Sequence, residues 1–251
     1  MPSSFFENAI LLLLHILQRL KLLECAQYGF DSDLKLDSPG LELSFVPSGL
    51  AELGLDEAAV NAHISQWLAK SQGTARITGS RAKNLNPIIM AHVQDGVTAR
   101  GWFPDALPAW WWLFVGGAPA KYSAFNARIE KLTGSWRFAA AERAIVPAHW
   151  YVEKGKRFRL GAEPFGIAAI TATTRLNDGS SLVSYALVTR DAVGSAQSVH
   201  PRMPLLLEPS MYEQWLDPQV PADDRLVREV YEASDELSHA AYVATPSSSA
   251  S

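Results

Sequence analysis

Cysteine is almost absent from the 251-residue chain: there is one, Cys25. A single thiol excludes an intramolecular disulfide and a cysteine-rich zinc site, leaving either a buried small hydrophobe or a reactive nucleophile. Also missing are an internal repeat, a P-loop, a dinucleotide-binding glycine fingerprint and any cluster of metal ligands. Asp31 and Asp33 suggest a metal loop, but calcium-loop spacing does not continue to a closing glutamate. Neither a metal nor a small-molecule cofactor is expected.

No apolar run is long enough to cross a membrane. Residues 1–24 carry apolar side chains at helical spacing, but His15, Gln18, Arg19 and Lys21 interrupt them short of the roughly 20 residues a spanning helix needs. A secretory signal is not read either, because the basic residues follow the apolar run and no small-residue cleavage site comes after it. The segment is an amphipathic leader, a docking helix, or the product of a start set too far upstream. No stable membrane insertion is expected.

A positive net charge is lacking too, the total being −4. Its distribution says more than the total. Residues 76–159 hold thirteen basic and five acidic side chains, a net +8, so the flanks carry −12. A basic middle between acidic flanks suits a phosphate-facing surface, although a solvated mixed surface reads the same way.

What is present fits one domain. With 48% hydrophobic residues the chain can bury one substantial core, and nothing in its middle reads as a linker. Short alternating runs at 34–36 and 41–46 read as strands, and Asp56 as the N-cap of a helix running to about Ala69 with His63 at its boundary. A loop is expected over 82–87 and a strand over 88–93, with Pro104 and Pro108 breaking regular structure. Trp110, Trp111 and Trp112 lie inside the basic span. Some of these rings must be core, yet Trp102 or one of the three is also placed to stack an unpaired base. Residues 223–236 read as an acidic surface helix with apolar Leu226, Val230 and Tyr231, and 244–251 as a disordered Ser-rich tail.

Three segments then stand in order. Asn126-Ala127-Arg128 is followed two residues on by Glu130; Arg143-Ala144-Ile145-Val146-Pro147-Ala148 runs on to Glu153; and His200 precedes Arg202-Met203-Pro204. With Gly101-Trp102-Phe103-Pro104 and Cys25-Ala26-Gln27-Tyr28-Gly29, the set resembles the SOS response-associated peptidase (SRAP) family of abasic-site processing proteins. The resemblance covers roughly residues 25–216. It implies a single α+β domain (residues 25–243) whose strongly bent, mostly antiparallel, barrel-like β-sheet has flanking helices.

The resemblance also implies a chemistry. The partner would be single-stranded DNA containing abasic sites, captured as a thiazolidine by an amino-terminal cysteine whose amine and thiol sit on adjacent carbons. A free α-amine titrates near roughly 7.7–8.0, so modest activation suffices. By position, Cys25 would be the nucleophile, Glu153 the general acid/base of imine formation and His200 the aid to sugar-ring opening and crosslink reversal. Asn126 would hold the terminal amine and the sugar, and Arg128 and Arg202 phosphates; Trp102 stays the DNA-contacting aromatic read from the basic span. A monomer is expected, cytoplasmic and drawn to the nucleoid by damage.

The chain departs from the family at its central residue, because 24 residues precede Cys25 and an amide nitrogen forms no imine. Three readings stay open. Autoproteolysis of the Glu24–Cys25 bond exposes the terminus; the upstream sequence is a gene-model error; or the chain only binds DNA without crosslinking. Ala144, Trp150 and Lys154 also replace residues usual in the family, which bears on the shape of the pocket.

Overall fold

In a computed structural model of the protein, the described residues are 25–31, 44–77, 85–94, 96, 98–137 and 139–244. The extension 1–24, the strand expected at 34–36, residues 82–84 of the expected loop and the tail from 245 lie outside them. Residues 44–46, the described part of the second short strand expected, are not in a strand.

Five strands close a barrel: β3 (Leu85–Val93), β4 (Trp102–Trp111), β8 (Arg143–Ala148), β11 (Phe165–Arg175) and β12 (Ser181–Asp191). Each pairs with the next in the cycle β12-β4-β3-β8-β11-β12, and only the β12–β4 seam of that cycle is parallel. A second sheet of five short strands runs β15 (Tyr242–Val243), β10 (Lys156–Arg159), β9 (Trp150–Glu153), β1 (Gln27–Gly29) and β2 (Thr74–Arg76), all antiparallel. Three strands join the barrel's margins: β7 (Asn126–Arg128) parallel to β12, β13 (Arg202–Pro204) on β12 and β14 (Leu206–Leu207) on β11. A small hairpin of β5 (Phe114–Val115) and β6 (Ala118–Pro119) stands apart. The fold is mixed α+β with a closed, mostly antiparallel barrel, as the resemblance implied.

Period-two alternation splits the apolar residues into two cores. One face carries Ile88, Ala109, Trp111, Ala144, Val146, Ile167, Ala169, Tyr185 and Leu187, which join Cys25, Tyr28, Ala75, Tyr151 and Phe158 of the small sheet in one buried cluster. This is the barrel interior, with the small sheet as its lid. The other face carries Ile89, Ile145, Ala168, Ile170, Ala186 and Val188 and packs against the helices. Of these, α1 (Glu57–Ser71) starts where expected, its Asp56 side chain accepting from the Ala59 amide at 3.0 Å. Helices α2 (Gly194–Gln197) and α5 (Asp235–Ala240) are short, α3 (Tyr212–Leu216) buries Tyr212, Trp215 and Leu216, and α4 (Asp224–Ala233) buries Leu226 and Val230. Arg143 locks α3 to the barrel: its buried guanidinium donates to the carbonyls of Trp215, Ala140, Asp217 and Val220. Burial pulls its pKa down to about 10.

Pro104 and Pro108 do not break structure; both lie within β4, and Pro87, expected in a loop, lies within β3. A proline fits a strand where its missing N–H is not called on. Pro87 faces Pro108 across the ladder and Pro104 lies four residues from Pro108, so all three occupy the same alternate set of sites.

The lid closes tightly at Gly29. A Cβ there would stand 2.0 Å from the Gly73 carbonyl oxygen and 2.6 Å from the Trp150 ring. Gly29→Ala should therefore cost at least about 2 kcal/mol by overpacking; urea unfolding measures it, and a variant within about 0.5 kcal/mol of wild type contradicts this account of the seam.

Candidate active site

Cys25 stands just ahead of β1, 0% exposed, where the lid meets the barrel. Its thiol donates to the Gln27 carbonyl at 3.6 Å. Its own carbonyl accepts from Asn126 Nδ2 at 3.0 Å, a contact spanning 101 residues. Asn126 reaches it because β7 runs beside β12 with Asn126 opposite Leu187. Asn126 Oδ1 is buried with no hydrogen-bond partner among the described residues.

Glu153 and His200 meet from different elements. Glu153 ends β9, where Lys154 and Gly155 both take positive φ (48° and 77°) in a two-residue turn that returns the chain as β10. It is 1% exposed, and its Oε2 lies 3.6 Å from His200 Nδ1. His200 follows α2, its amide donating to the Ala196 carbonyl at 3.1 Å, and it lines an open depression of about 490 Å³ with Asp191, Gln197 and Pro201. Val152, the residue before Glu153, pairs with Gln27, and Tyr151, two residues before Glu153, shares its face of β9. Burial first, then Cys25, then Glu153 raise the pKa of the Tyr151 phenol.

Two sequence expectations are corrected here. Trp102 was expected to stack a base, but it is 1% exposed within the outer core, and Arg100 lies over its ring at 5.3 Å, so it offers no free face. Trp111 is buried in the barrel, while Trp110 and Trp112 are half-buried. Arg202 was expected to hold a phosphate, yet its guanidinium is committed. It donates to Glu130 at 2.7 and 3.1 Å, to Asp191 at 2.7 Å and to the Thr189 carbonyl at 2.7 Å. Its backbone instead braces the histidine, the Arg202 amide lying 3.2 Å and its carbonyl 3.0 Å from His200 Nδ1. Arg128, by contrast, is exposed, on the same face of β7 as Asn126.

The structure adds residues that sequence reading passed over. Tyr28, Tyr185 and Asn86 form a buried chain beside Cys25, with the two hydroxyls 2.5 Å apart and Asn86 Nδ2 donating to Tyr185 at 3.0 Å. Alternation along β9 was the one available signal for Tyr151, which shares a face with Glu153. On the outer face of the lid, the pairings Arg76–Gln27, Gln27–Val152 and Val152–Arg157 put two exposed arginines in one row across the sheet. Arg76 donates to Gln27 Oε1 at 3.0 and 3.3 Å, and Arg157 lies over the Trp150 ring at 4.1 Å.

The family model described as SOS response associated peptidase (SRAP) matches residues 101–246. The chain belongs to this family, more than half of it falling within the match; it is a DNA-damage-associated, peptidase-type protein. Among solved structures it is similar to a phage-related protein of Bordetella bronchiseptica, 21% identical over 68% of this chain and 84% of that one, with a TM-score of 0.48. Another protein of Bordetella bronchiseptica is 18% identical over 82% of this chain and 92% of that one, with a TM-score of 0.49. No match to a curated protein was found. No helix among the described residues is long and apolar enough to cross a membrane.

His149, at the junction of β8 and β9, provides a pH handle near the site. It is 1% exposed against Phe30 and Phe45, with Asp31 Oδ2 3.6 Å from its Nδ1. Burial pushes its pKa down, outweighing the upward pull of Asp31. The folded imidazole is thus neutral where the unfolded one, titrating near about 6.5, takes up a proton. Stability is full above that value and is lost as pH falls toward the depressed folded pKa. A lower Tm at pH 5 than at pH 7, with the difference reduced in His149→Gln, is expected by calorimetry; an undiminished difference in the variant rules His149 out as its source.

Proposed function

We propose that the protein captures ring-opened abasic sites in single-stranded DNA through Cys25, after the bond preceding that residue has been cleaved. The observation that carries the reading is the grip of Asn126 on the Cys25 carbonyl, with the Glu153–His200 pair at the end of β9, the strand that pairs with the one following Cys25. Four separate elements supply these groups. Glu153 moves protons, His200 assists opening of the sugar and reversal, and Asn126 holds the terminus and the sugar.

The chemistry balances with the groups in place. For cleavage, the Cys25 sulfur adds to the carbonyl carbon of Glu24, the C–N bond breaks and the departing amine takes a proton. Water then hydrolyses the thioester to release residues 1–24 as a carboxylate. A buried thiol suits this step, since the bond it attacks is tethered beside it. For capture, the freed amine adds to the aldehyde carbon and the adduct loses water to an imine. The sulfur then adds to the same carbon, closing a thiazolidine.

Strand contacts are drawn from the exposed arginines. Arg128 lies next to the site, and the Arg76–Arg157 row spans three strand spacings, about 14 Å, of outward-facing positive charge. A planar guanidinium fork suits phosphate oxygens. The committed guanidinium of Arg202 is outside this set.

The test uses single-stranded DNA carrying one abasic site and protein whose amino terminus has been established as Cys25, scored for an adduct that survives denaturation. Cys25→Ser should abolish the adduct and leave salt-sensitive, non-covalent binding nearly unchanged; an adduct that persists puts the chemistry on another residue. Glu153→Gln should slow capture by on the order of a hundredfold, and an unaltered rate removes Glu153 from the mechanism.

A further inference from the structure

None of the groups assigned to the Cys25 site lines a second depression, of about 370 Å³, bordered by β5, the chain leading to β8 and the late part of β11. Its walls are aromatic. Phe114, Tyr122 and Trp136 line it, with Val115 beside Phe114, and the polar groups include Glu142 and Thr173. Tyr122 and Val115 are each 55% exposed, so they form an apolar patch adjoining one cavity rather than single side chains scattered over the surface.

Charge sets what can enter. Glu142 is the one charged residue lining the depression among the described residues; Lys121 and Arg137 adjoin Tyr122 and Trp136 in sequence but do not line it. The carboxylate is fixed from β11. The Thr173 hydroxyl donates to Glu142 Oε2 at 3.0 Å, and the Thr171 amide donates to the Glu142 carbonyl at 3.0 Å. A carboxylate can accept about four hydrogen bonds, and Thr173 supplies one. Such a lining repels a phosphate and attracts a cation that carries several donors. Ring geometry narrows the choice further. The Tyr122 and Trp136 centroids are 6.0 Å apart with planes inclined at 55°, so a flat base cannot lie sandwiched between them. A compact cation, by contrast, can sit within the roughly 6 Å of both centroids over which a ring face attracts it.

We propose that this depression receives an arginine side chain of a partner protein, its guanidinium against Tyr122 and Trp136 and hydrogen-bonded to Glu142. The residues flanking that arginine would rest on Val115 and the exposed side of Tyr122, which gives the apolar patch its occupant. Lysine fits less well: it brings the charge, but neither the planar face that stacks on a ring nor the fork that matches a carboxylate. The site stands apart from the chemistry at Cys25, and its test does not depend on abasic-site capture.

The test titrates the full-length protein, its indoles isotope-labelled, with the blocked tripeptide acetyl-Ile-Arg-Val-amide and follows the Trp136 indole signal by NMR, assigned from its loss in Trp136→Phe. A saturable shift is expected. Citrulline in place of the arginine, of the same shape without the charge, should bind about tenfold more weakly, and so should the original tripeptide to Glu142→Gln. Glu142 is exposed, so that variant should fold as the wild type does. Acetyl-Gly-Arg-Gly-amide should also bind more weakly, for want of the apolar flanks. Equal affinity for the citrulline peptide, or undiminished affinity in Glu142→Gln, overturns the proposal. Equal affinity for the glycine-flanked peptide makes the ligand a free guanidinium compound rather than a protein segment, and overturns it too. An indole signal moved by oligodeoxycytidine but not by the arginine tripeptide makes the depression a platform for a base, which likewise overturns it.

Discussion

Closure of the five-stranded barrel through β12 is the constraint on which the rest depends. This strand pairs with β11 on one edge and, over Ser184 and Tyr185, with β4 on the other, so the apolar faces of all five strands turn inward onto one small volume. An interior of that size must be filled and its end sealed. The small sheet seals it with Ala75, Tyr28, Tyr151 and Phe158, residues that face one another across adjacent strands. Cys25 lies at the start of that seal. Its burial follows from the barrel's need for a lid, and its partners are whatever the lid and the barrel wall bring to the same spot.

The same packing decides which charges can act. A charged group in a closed interior is costly unless it is paired, and pairing removes it from other duties. Arg202 illustrates the trade: with Glu130, Asp191 and the Thr189 carbonyl on its fork, it anchors the turn that carries His200 and is unavailable to a phosphate. Arg143 is spent likewise on the carbonyls around α3. Arg76, Arg128 and Arg157, which stay exposed, come from the same basic middle of the sequence, but from its strand faces.

Legibility in the sequence followed distance along the chain. The Asp56 cap, the helix after it and the Leu226–Val230 stripe were readable because each is a matter of a few neighbouring residues. So was the candidacy of Asn126, Glu153 and His200, carried by short segments with a distinctive order. What was not readable came from pairings between remote residues. Nothing near Arg202 announces Glu130, 72 residues earlier, and nothing near Tyr28 announces Tyr185, 157 residues later. Trp102 was misjudged for the same reason, since its ring is exposed or buried according to helices that lie far off in sequence. The prolines of β3 and β4 misled differently: as single residues they end strands, but set at alternate sites and facing each other they are compatible with a ladder.

The account turns on whether Cys25 presents a free amine, because every capture step begins there. Intact mass and amino-terminal sequencing of the protein purified from its own host, before it meets DNA, test this most directly. The account predicts a chain that begins at Cys25. A chain in which residue 24 remains joined to Cys25 throughout the population contradicts it, since an amide nitrogen at that position cannot form the imine.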